Sequence, residues 1–367
     1  MKITNIIIYQ LNLFYKKGEK MILSGGRVNK YLDATIVKVV TNTEHIGWGE
    51  SVPWGANYLP AFAKGVRSVI EEVAPKLIGQ DPTNIGLISS LMDDTLVGHG
   101  YAKHAIEMAC WDLLGKSTQT PLYTLLGGCQ STNMPVTAFI GTQVDESLKS
   151  KLDAFRLDNI TQLSVKASGD INTDIQFIRQ LSELLRSYET IRIDANGGWR
   201  IDEALRFTKA CRDIDIVIEQ PCQTYEECRN LRRSSNIPLI LDECATGLDI
   251  LVRAQSDGVL DGVNIKLGRV GGLSSARKMR DFCSEFNIPM LIQCMGGSTI
   301  TSAAITHLAH STPQNKLLSV WNPASIIETE SSINGPQVHQ SRINCSSRPG
   351  LGVTPIMEVL GNPIAEF

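Results

Sequence analysis

Five short apolar segments in the middle of the chain each end in a charged residue that could take part in chemistry. In chain order these residues are one base, three acids and one base: Lys166, Asp194, Glu219, Asp242 and Lys266. Carboxylate oxygens are ligands that Mg²⁺ prefers, and the ion leaves positions open for water or substrate. A lysine on either side of the ion could give a proton to a bound substrate or take one from it. The pattern therefore indicates metal-assisted acid–base chemistry with one Mg²⁺ per subunit.

The spacing of these residues predicts the elements that position them. They follow one another at intervals of 28, 25, 23 and 24 residues, close to the length of one strand, one helix and two loops. The intervening segments have helical periodicity, for example at Ile175, Ile178, Leu181 and Leu185. Repeated strand–helix units predict parallel strands with right-handed crossovers, and eight units close into a barrel. Chemistry on such a barrel is built at the carboxyl ends of the strands, where all five residues are expected.

Counting outward from these segments gives a ring of eight strands. Residues 136–141 are predicted to be the first strand, 290–293 the seventh and 317–321 the eighth. Adjacent strands lie roughly 4.8 Å apart, so three acids on three consecutive strands should converge on one side of the mouth. Strands two and six lie opposite each other, and Lys166 and Lys266 should therefore face each other across it.

The first third of the chain has a different pattern. Alternating segments at 6–9, 34–40 and 47–50 predict an antiparallel sheet, and 61–77, 85–96 and 102–114 predict helices. We expect residues 1–128 to form an α+β capping domain, 129–344 the barrel, and 345–367 a tail that returns to the capping domain.

Composition excludes several classes of function. The chain has 367 residues, a formal net charge of -3 and no basic stripe, which argues against nucleic acid as a partner. No apolar run approaches the length of a membrane span, and the N-terminus lacks the apolar core of a signal peptide. The nine cysteines are scattered and contain no CxxC pair. We expect a soluble cytoplasmic protein with reduced thiols.

Five motifs surround the charged residues and together carry a resemblance to a known family. They are Val165–Gly169, Asp194–Gly197, Glu219–Pro221, Asp242–Glu243 and Lys266–Gly272. In this order they resemble the enolase superfamily, and within it the muconate lactonizing enzyme subgroup. The resemblance implies a capping domain on a modified (β/α)7β TIM barrel. It also implies that the three acids bind Mg²⁺, that the two lysines are acid/base groups, and that cap loops near 24–30 and 53–58 close over the mouth and choose the substrate.

Three further segments resemble a narrower group that acts on proline-type amino acids. They are 98–103, 296–301 and 349–353. The group contains cis-3-hydroxyproline dehydratases and the racemases or epimerases of proline betaine and hydroxyproline betaine. The chain departs from wider relatives at Ser164, where many have a further lysine, and at Gly297, where cycloisomerases and dipeptide epimerases often have an acid.

These features predict removal of the proton beside a carboxylate in a small-molecule substrate. We favour racemisation or 2-epimerisation of a proline-like amino acid or betaine, because two opposed lysines can protonate both faces of one carbon. Dehydration of cis-3-hydroxy-L-proline at the same site is the alternative. A non-catalytic relative that binds a ligand through its metal is a third hypothesis. We also expect a homo-oligomer.

Four residues are predicted to contact the substrate: Trp54, Tyr58, Asn196 and Trp321. An aromatic face stabilises a nearby cation by roughly 0.5–2 kcal/mol, which would suit a positively charged ring nitrogen. Packing between cap and barrel is the alternative role for the two tryptophans. Glu243 and Gln293 are predicted to support the metal ligands from behind.

Overall fold

The N-terminal part of the chain is an antiparallel sheet covered by helices. The structure is a computed structural model and describes residues 1–17, 22–132, 134–142 and 147–367. The strands are β1 (Ile3–Phe14), β2 (Ile22–Leu23), β3 (Arg27–Val28), β4 (Tyr31–Thr41) and β5 (Ile46–Ser51). The helices are α1 (Ala63–Leu77), α2 (Ile85–Thr95), α3 (Gly100–Ser117) and α4 (Leu122–Leu125). The α+β cap predicted from the sequence is thus confirmed, with longer strands than the sequence indicated.

Two glycines of β5 allow α3 to lie directly on the backbone of the strand. A Cβ atom at Gly47 would lie 2.2 Å from the carbonyl oxygen of Ala109, and one at Gly49 would lie 1.9 Å from that of Ala105. Both distances are far below van der Waals contact, so a larger residue at either position would push α3 away from the sheet.

The second part of the chain is a parallel barrel of eight strands with helices outside. A short strand, β6 (Met134–Pro135), precedes it. The barrel strands are β7 (Ala138–Gly141), β8 (Gln162–Lys166), β9 (Thr190–Asp194), β10 (Ile216–Glu219), β11 (Leu239–Leu241), β12 (Gly262–Lys266), β13 (Met290–Gln293) and β14 (Leu317–Val320). The helices are α5 (Ser147–Leu157), α6 (Ile171–Leu184), α7 (Ile201–Ala210), α8 (Tyr225–Ser234), α9 (Leu248–Ser256), α10 (Leu267–Val270), α11 (Leu273–Glu285) and α12 (Thr299–His310).

The order of the strands in the sheet confirms the predicted barrel. The eight strands pair in sequence order from β7 to β14. The ring is completed by a parallel bridge between Val136 and Val320, and by the Thr137 N–H, which donates to the Val320 carbonyl at 3.2 Å. After β14 the chain enters a 3-10 turn (Pro323–Ile326) in place of an α-helix. This arrangement is the (β/α)7β variant that the resemblance implied.

The C-terminal segment crosses back to the N-terminal sheet. Its elements are β15 (Ser332–Ile333), β16 (Gln337–His339), β17 (Arg342–Asn344), β18 (Thr354–Pro355), α13 (Met357–Leu360) and β19 (Ala365–Glu366). Strand β19 pairs antiparallel with β1, with Ile7 opposite Glu366 and Ile8 opposite Ala365. Strand β19 is therefore an edge strand of the cap sheet.

The described residues include no helix that is both long and apolar enough to cross a membrane. All nine cysteines lie within the described ranges, and every one of them is a free thiol.

Two buried acids of the cap fasten it to barrel helices. Glu50, at the end of β5, accepts hydrogen bonds from the backbone N–H and hydroxyl groups of Ser298 and Thr301, at the start of α12. Glu107 on α3 accepts the backbone N–H groups of Leu273 and Ser274, at the start of α11. A negative charge at a helix N-terminus is favourable because unpaired N–H groups and the helix dipole both point toward it. The cap is therefore anchored firmly on this side of the barrel.

Replacing Glu50 by glutamine is expected to lower the free energy of unfolding by roughly 1–3 kcal/mol. The carboxylate only accepts hydrogen bonds, whereas the amide would place its NH₂ group against buried donors. Burial raises the pKa of Glu50, although the hydrogen bonds from Thr301 and Ser298 act in the opposite direction. The measurement is urea unfolding followed by circular dichroism. The matched control is Glu44→Gln, because the Glu44 side chain is 83% exposed in a turn of the same sheet. Equal stabilities of the two variants would contradict the anchoring role.

Candidate active site

The three acids converge at the carboxyl ends of three adjacent strands. Asp194 ends β9, Glu219 ends β10, and Asp242 directly follows β11. One oxygen from each carboxylate lies within 4.8 Å of the other two, and all three side chains are buried. Among the described residues, no other group of His, Cys, Asp and Glu side chains is close enough to hold a metal ion in this way.

The two lysines flank the acids on opposite sides. Lys166 ends β8 and forms an ion pair with Asp194 on the next strand. Lys266 ends β12, and its Nζ lies 2.5 Å from Asp242 Oδ2. Burial lowers the pKa of Lys166, but the charges of Asp194 and Glu219 outweigh burial and raise that pKa above its ordinary value. The structure thus brings all five charged residues together at one end of the barrel.

Two arginines that sequence reasoning missed also neutralise the acids. Arg192 Nε lies 2.5 Å from Glu219 Oε2, and Arg269 forms an ion pair with Asp242. Burial raises the pKa of Asp242, but Arg269 and Lys266 outweigh burial and lower the pKa to about 2. Strand alternation could have revealed Arg192, because a residue two positions before Asp194 points to the same face of the sheet.

The donor set fits a hard divalent cation. Asp194, Glu219 and Asp242 offer only carboxylate oxygens, which are the ligands that Mg²⁺ takes in proteins. Glu243 adds a fourth carboxyl group beside them, and its Oε2 is buried without a hydrogen-bond partner. Burial, followed by the charge of Asp242, raises the pKa of Glu243 to about 7. A cation bound between these acids would stabilise so many buried negative charges. The three acids at the strand ends could hold such a cation.

Polar residues behind the acids fix their orientation. The side-chain amide of Asn196 donates to Asp194 Oδ2 at 3.1 Å and to Glu243 Oε1 at 3.0 Å. Gln293 reaches the acids indirectly, because the amide of Asn264 donates both to Gln293 Oε1 at 3.1 Å and to Glu219 Oε1 at 2.7 Å. Asn196 therefore contacts Asp194 directly, Glu243 is joined to Asp194 through Asn196, and Gln293 is joined to Glu219 through Asn264.

An aromatic ring lies beside each lysine. The Tyr58 hydroxyl is 2.8 Å from Lys266 Nζ, and the centre of its ring is 5.4 Å from the same atom. The centre of the Phe139 ring on β7 is 5.3 Å from Lys166 Nζ. The Trp321 ring lies edge-on to the Phe139 ring, with 6.0 Å between the two ring centres. Phe139 was missed in the sequence. An aromatic residue two positions before the end of the first barrel strand was the available signal.

Trp54 has different surroundings from the other predicted substrate-binding residues. It is 4% exposed and belongs to a small apolar cluster of the cap with Leu13, Leu32 and Val52. Tyr58 packs against the edge of that cluster. Within the same cap loop, Trp54 therefore packs into the cap, while Tyr58 reaches Lys266 in the charged group.

Family models match both parts of the chain. A model described as "Mandelate racemase / muconate lactonizing enzyme, N-terminal domain" matches residues 24–127, and one described as "Enolase C-terminal domain-like" matches residues 143–359. The chain belongs to the mandelate racemase/muconate lactonizing enzyme family of the enolase superfamily. The resemblance seen in the sequence motifs is thereby confirmed.

Curated relatives of this enolase-superfamily chain are enzymes. It is 41% identical to the cis-3-hydroxy-L-proline dehydratase of Roseibium aggregatum over 367 residues, which is 100% of both chains. It is 27% identical to the N-succinyl-L-Arg/Lys racemase of Bacillus cereus over 96% of this chain and 95% of the relative. The protein is accordingly an enolase-superfamily enzyme of the racemase, epimerase or dehydratase type.

Solved structures of the enolase superfamily superpose on this chain over its whole length. A mandelate racemase/muconate lactonizing enzyme from Roseovarius nubinhibens ISM superposes with a TM-score of 0.95 at 37% identity, covering 100% of this chain and 98% of that one. A member of the enolase superfamily from the same organism, complexed with magnesium, superposes with a TM-score of 0.93 at 33% identity, covering 100% and 99%. A magnesium complex of a protein this similar is consistent with Mg²⁺ at the three acids.

Proposed function

We propose that the protein dehydrates cis-3-hydroxy-L-proline with the help of one Mg²⁺. Asp194, Glu219 and Asp242 hold the ion, and Lys166 and Lys266 are the acid/base groups. The observation that carries the proposal is the placement of the two lysines on opposite sides of the acids, on strands four positions apart in the ring.

The stereochemistry of this substrate requires groups on both faces of its ring. In cis-3-hydroxy-L-proline the hydroxyl and the carboxylate are on the same face, so the hydrogen on the α-carbon is on the opposite face from the hydroxyl. A base must therefore approach from one face and an acid from the other. Two opposed lysines meet this requirement, which a single lysine would not.

The elimination is balanced with these groups alone. One lysine, as the free amine, takes the proton from the α-carbon, and the electrons of that bond form a double bond between C2 and C3 of the ring. The C3–O bond breaks as the opposite lysine, as the ammonium, gives its proton to the hydroxyl, which leaves as water. The ring product is an enamine that becomes the cyclic imine by moving a proton from nitrogen to C3. Mg²⁺, when bound, supplies positive charge beside the substrate carboxylate, on which negative charge develops.

Sequence similarity favours elimination over the proton transfer that the sequence motifs alone favoured. The 41% identity to a dehydratase extends over the entire chain, whereas the racemases and epimerases compared share 24–30%. Racemisation or 2-epimerisation of a proline-like amino acid or betaine is the second candidate, because the same lysines reach both faces of the α-carbon. The sequence similarity to dehydratases, racemases and epimerases, together with the presence of both lysines, argues against a non-catalytic binding protein.

Incubation with Mg²⁺ in deuterated water, followed by NMR, distinguishes these candidates. We expect cis-3-hydroxy-L-proline to lose its ring hydroxyl at least about 100-fold faster than trans-3-hydroxy-L-proline, in which one lysine would have to act as both base and acid. L-Proline and proline betaine are the controls that contain no hydroxyl. Deuterium at their α-carbons, with no dehydration of the cis isomer, would establish the racemase instead. No reaction with any of the four compounds would refute both candidates.

A further inference from the structure

Two cap loops lie at the mouth of the barrel. The first loop contains the turn Ser24–Gly26, and the second contains residues 53–58. A Cβ atom on Gly169 would lie 3.2 Å from the Cα of Gly25, and one on Gly198 would lie 3.2 Å from Ser24 Oγ. These glycines follow β8 and β9 and so border the charged group. The first loop therefore rests directly on the rim of the site.

Arg27 binds three separate segments with one guanidinium group. Its Nε donates to the Ser24 carbonyl at 3.0 Å, within the first loop. One terminal nitrogen donates to the Asn57 carbonyl in the second loop at 3.2 Å, and the other to the Asn196 carbonyl in the barrel at 3.3 Å. Arg27 forms no ion pair with any residue that the structure describes. Its hydrogen bonds thus serve to join the two loops to each other and to the barrel.

Asn196 connects this loop contact to the acids. Its side-chain oxygen accepts the Ser24 N–H at 3.1 Å, and its carbonyl accepts Arg27. Its side-chain NH₂ group donates to Asp194 and Glu243, and its backbone N–H donates to Asp194 Oδ1 at 2.8 Å. The residue has a φ of 46°, a left-handed conformation that a non-glycine residue keeps only when its surroundings fix it. One asparagine is therefore bonded both to the cap loop and to a predicted metal ligand.

We propose that Arg27 is a positioning residue that couples closure of the cap loops to cation binding, with Asn196 as the connection. The inference rests on the metal site of the proposed function but on no particular substrate. A closed loop holds Asn196, and Asn196 holds the carboxylate of Asp194 in the orientation shown here. Coupling between two sites is reciprocal, so a cation that favours closure must bind more tightly when the loop can close.

Electrostatics and coupling predict opposite signs for the loss of Arg27. Removing a positive charge near a group of acids would strengthen cation binding if the charge alone mattered. If Arg27 holds the loop closed onto Asn196, its removal must weaken cation binding instead. Lysine separates the two effects further, because it keeps the charge but lacks the planar fork of donors that reaches three carbonyls.

The test is calorimetric titration with MgCl₂ of the full-length protein and its Arg27→Ala and Arg27→Lys variants. We expect both variants to bind Mg²⁺ at least about fivefold more weakly. We also expect Mg²⁺ to slow hydrogen exchange at residues 22–28 in the parent protein but not in the variants, and millimolar guanidinium to restore affinity to Arg27→Ala. The control is Arg212→Ala, which changes an exposed arginine that follows α7.

The outcomes separate this inference from the proposed function. If the parent protein does not bind Mg²⁺, the metal site and the coupling both fail. If it binds Mg²⁺ and the two Arg27 variants bind it equally well or better, the coupling fails while the metal site stands. Circular dichroism of each variant identifies any that does not fold, and Arg27→Lys then decides the matter because it changes the fewest contacts.

Discussion

Replacing Lys166 or Lys266 by alanine should lower the turnover of cis-3-hydroxy-L-proline by roughly 100- to 10,000-fold, the usual contribution of a positioned acid or base. The elimination needs one lysine on each face of the ring, so neither can substitute for the other. Both lysine side chains lie against the acids, with 11% and 8% exposure.

The two lysine variants should differ in a second measurement. The variant that has lost the acid still contains the base, and it should exchange the α-proton of the substrate for deuterium without releasing water. The variant that has lost the base should show neither exchange nor dehydration. One NMR experiment in deuterated water on both variants therefore assigns the two roles, which the geometry alone leaves open.

Three controls make the lysine result specific. Lys209→Ala changes an exposed lysine at the end of α7 and should keep full activity. Circular dichroism establishes that the variants are folded, and titration with Mg²⁺ establishes that they still bind the ion. Near-normal turnover by either the Lys166 or the Lys266 variant would refute the two-lysine mechanism.

The barrel and its charged residues could be predicted because each strand has a recognisable local sequence pattern. A strand such as β9 or β12 is a short apolar run whose last residue is charged, and the interval between strands is nearly constant. Parallel pairing then places Asp194 opposite Lys166 on one side and Glu219 on the other. Local periodicity and one rule of topology were therefore enough to bring the five residues together.

The contacts between the cap and the barrel mouth could not be predicted, because they join residues far apart in the chain. Arg27 and Asn196 are 169 positions apart, and Lys266 and Tyr58 are 208 positions apart. Their contacts are determined by how the cap sits on the barrel, which the buried acid Glu50 helps to fix through a helix 248 positions away. No repeating pattern in the sequence indicates that these residues are in contact.

Packing likewise limited the prediction for the aromatic residues. The sequence suggested that Trp54, Tyr58 and Trp321 surround the substrate, and they lie in three different environments. Tyr58 contacts Lys266, Trp321 contacts the ring of Phe139, and Trp54 belongs to an apolar cluster of the cap. An aromatic side chain satisfies an apolar core as well as a binding site, so its type alone does not distinguish the two.

Replacing Asp194 by asparagine should weaken Mg²⁺ binding by at least about 100-fold, more than the 10- to 100-fold that loss of an outer contact to a ligand costs. Asparagine has nearly the same shape as aspartate. The change therefore removes one of the three negative charges of the metal site, while Asn196 still has a side chain of the same shape beside it. Turnover should fall with the bound fraction of Mg²⁺ and recover in part at high Mg²⁺. The control Glu358→Gln removes an exposed charge and should leave affinity unchanged.

Thermal unfolding gives a readout of the Asp194 variant that is independent of activity. A ligand that binds only the folded state stabilises it by about 2.7 kcal/mol at 100 times its dissociation constant. Mg²⁺ should therefore raise the melting temperature of the parent protein and of Lys166→Ala, but not that of Asp194→Asn at the same concentration. Chelation with EDTA should abolish activity and remove the stabilisation together, because one ion causes both. A melting temperature that responds to Mg²⁺ equally in the parent protein and in Asp194→Asn would mean that the ion binds elsewhere.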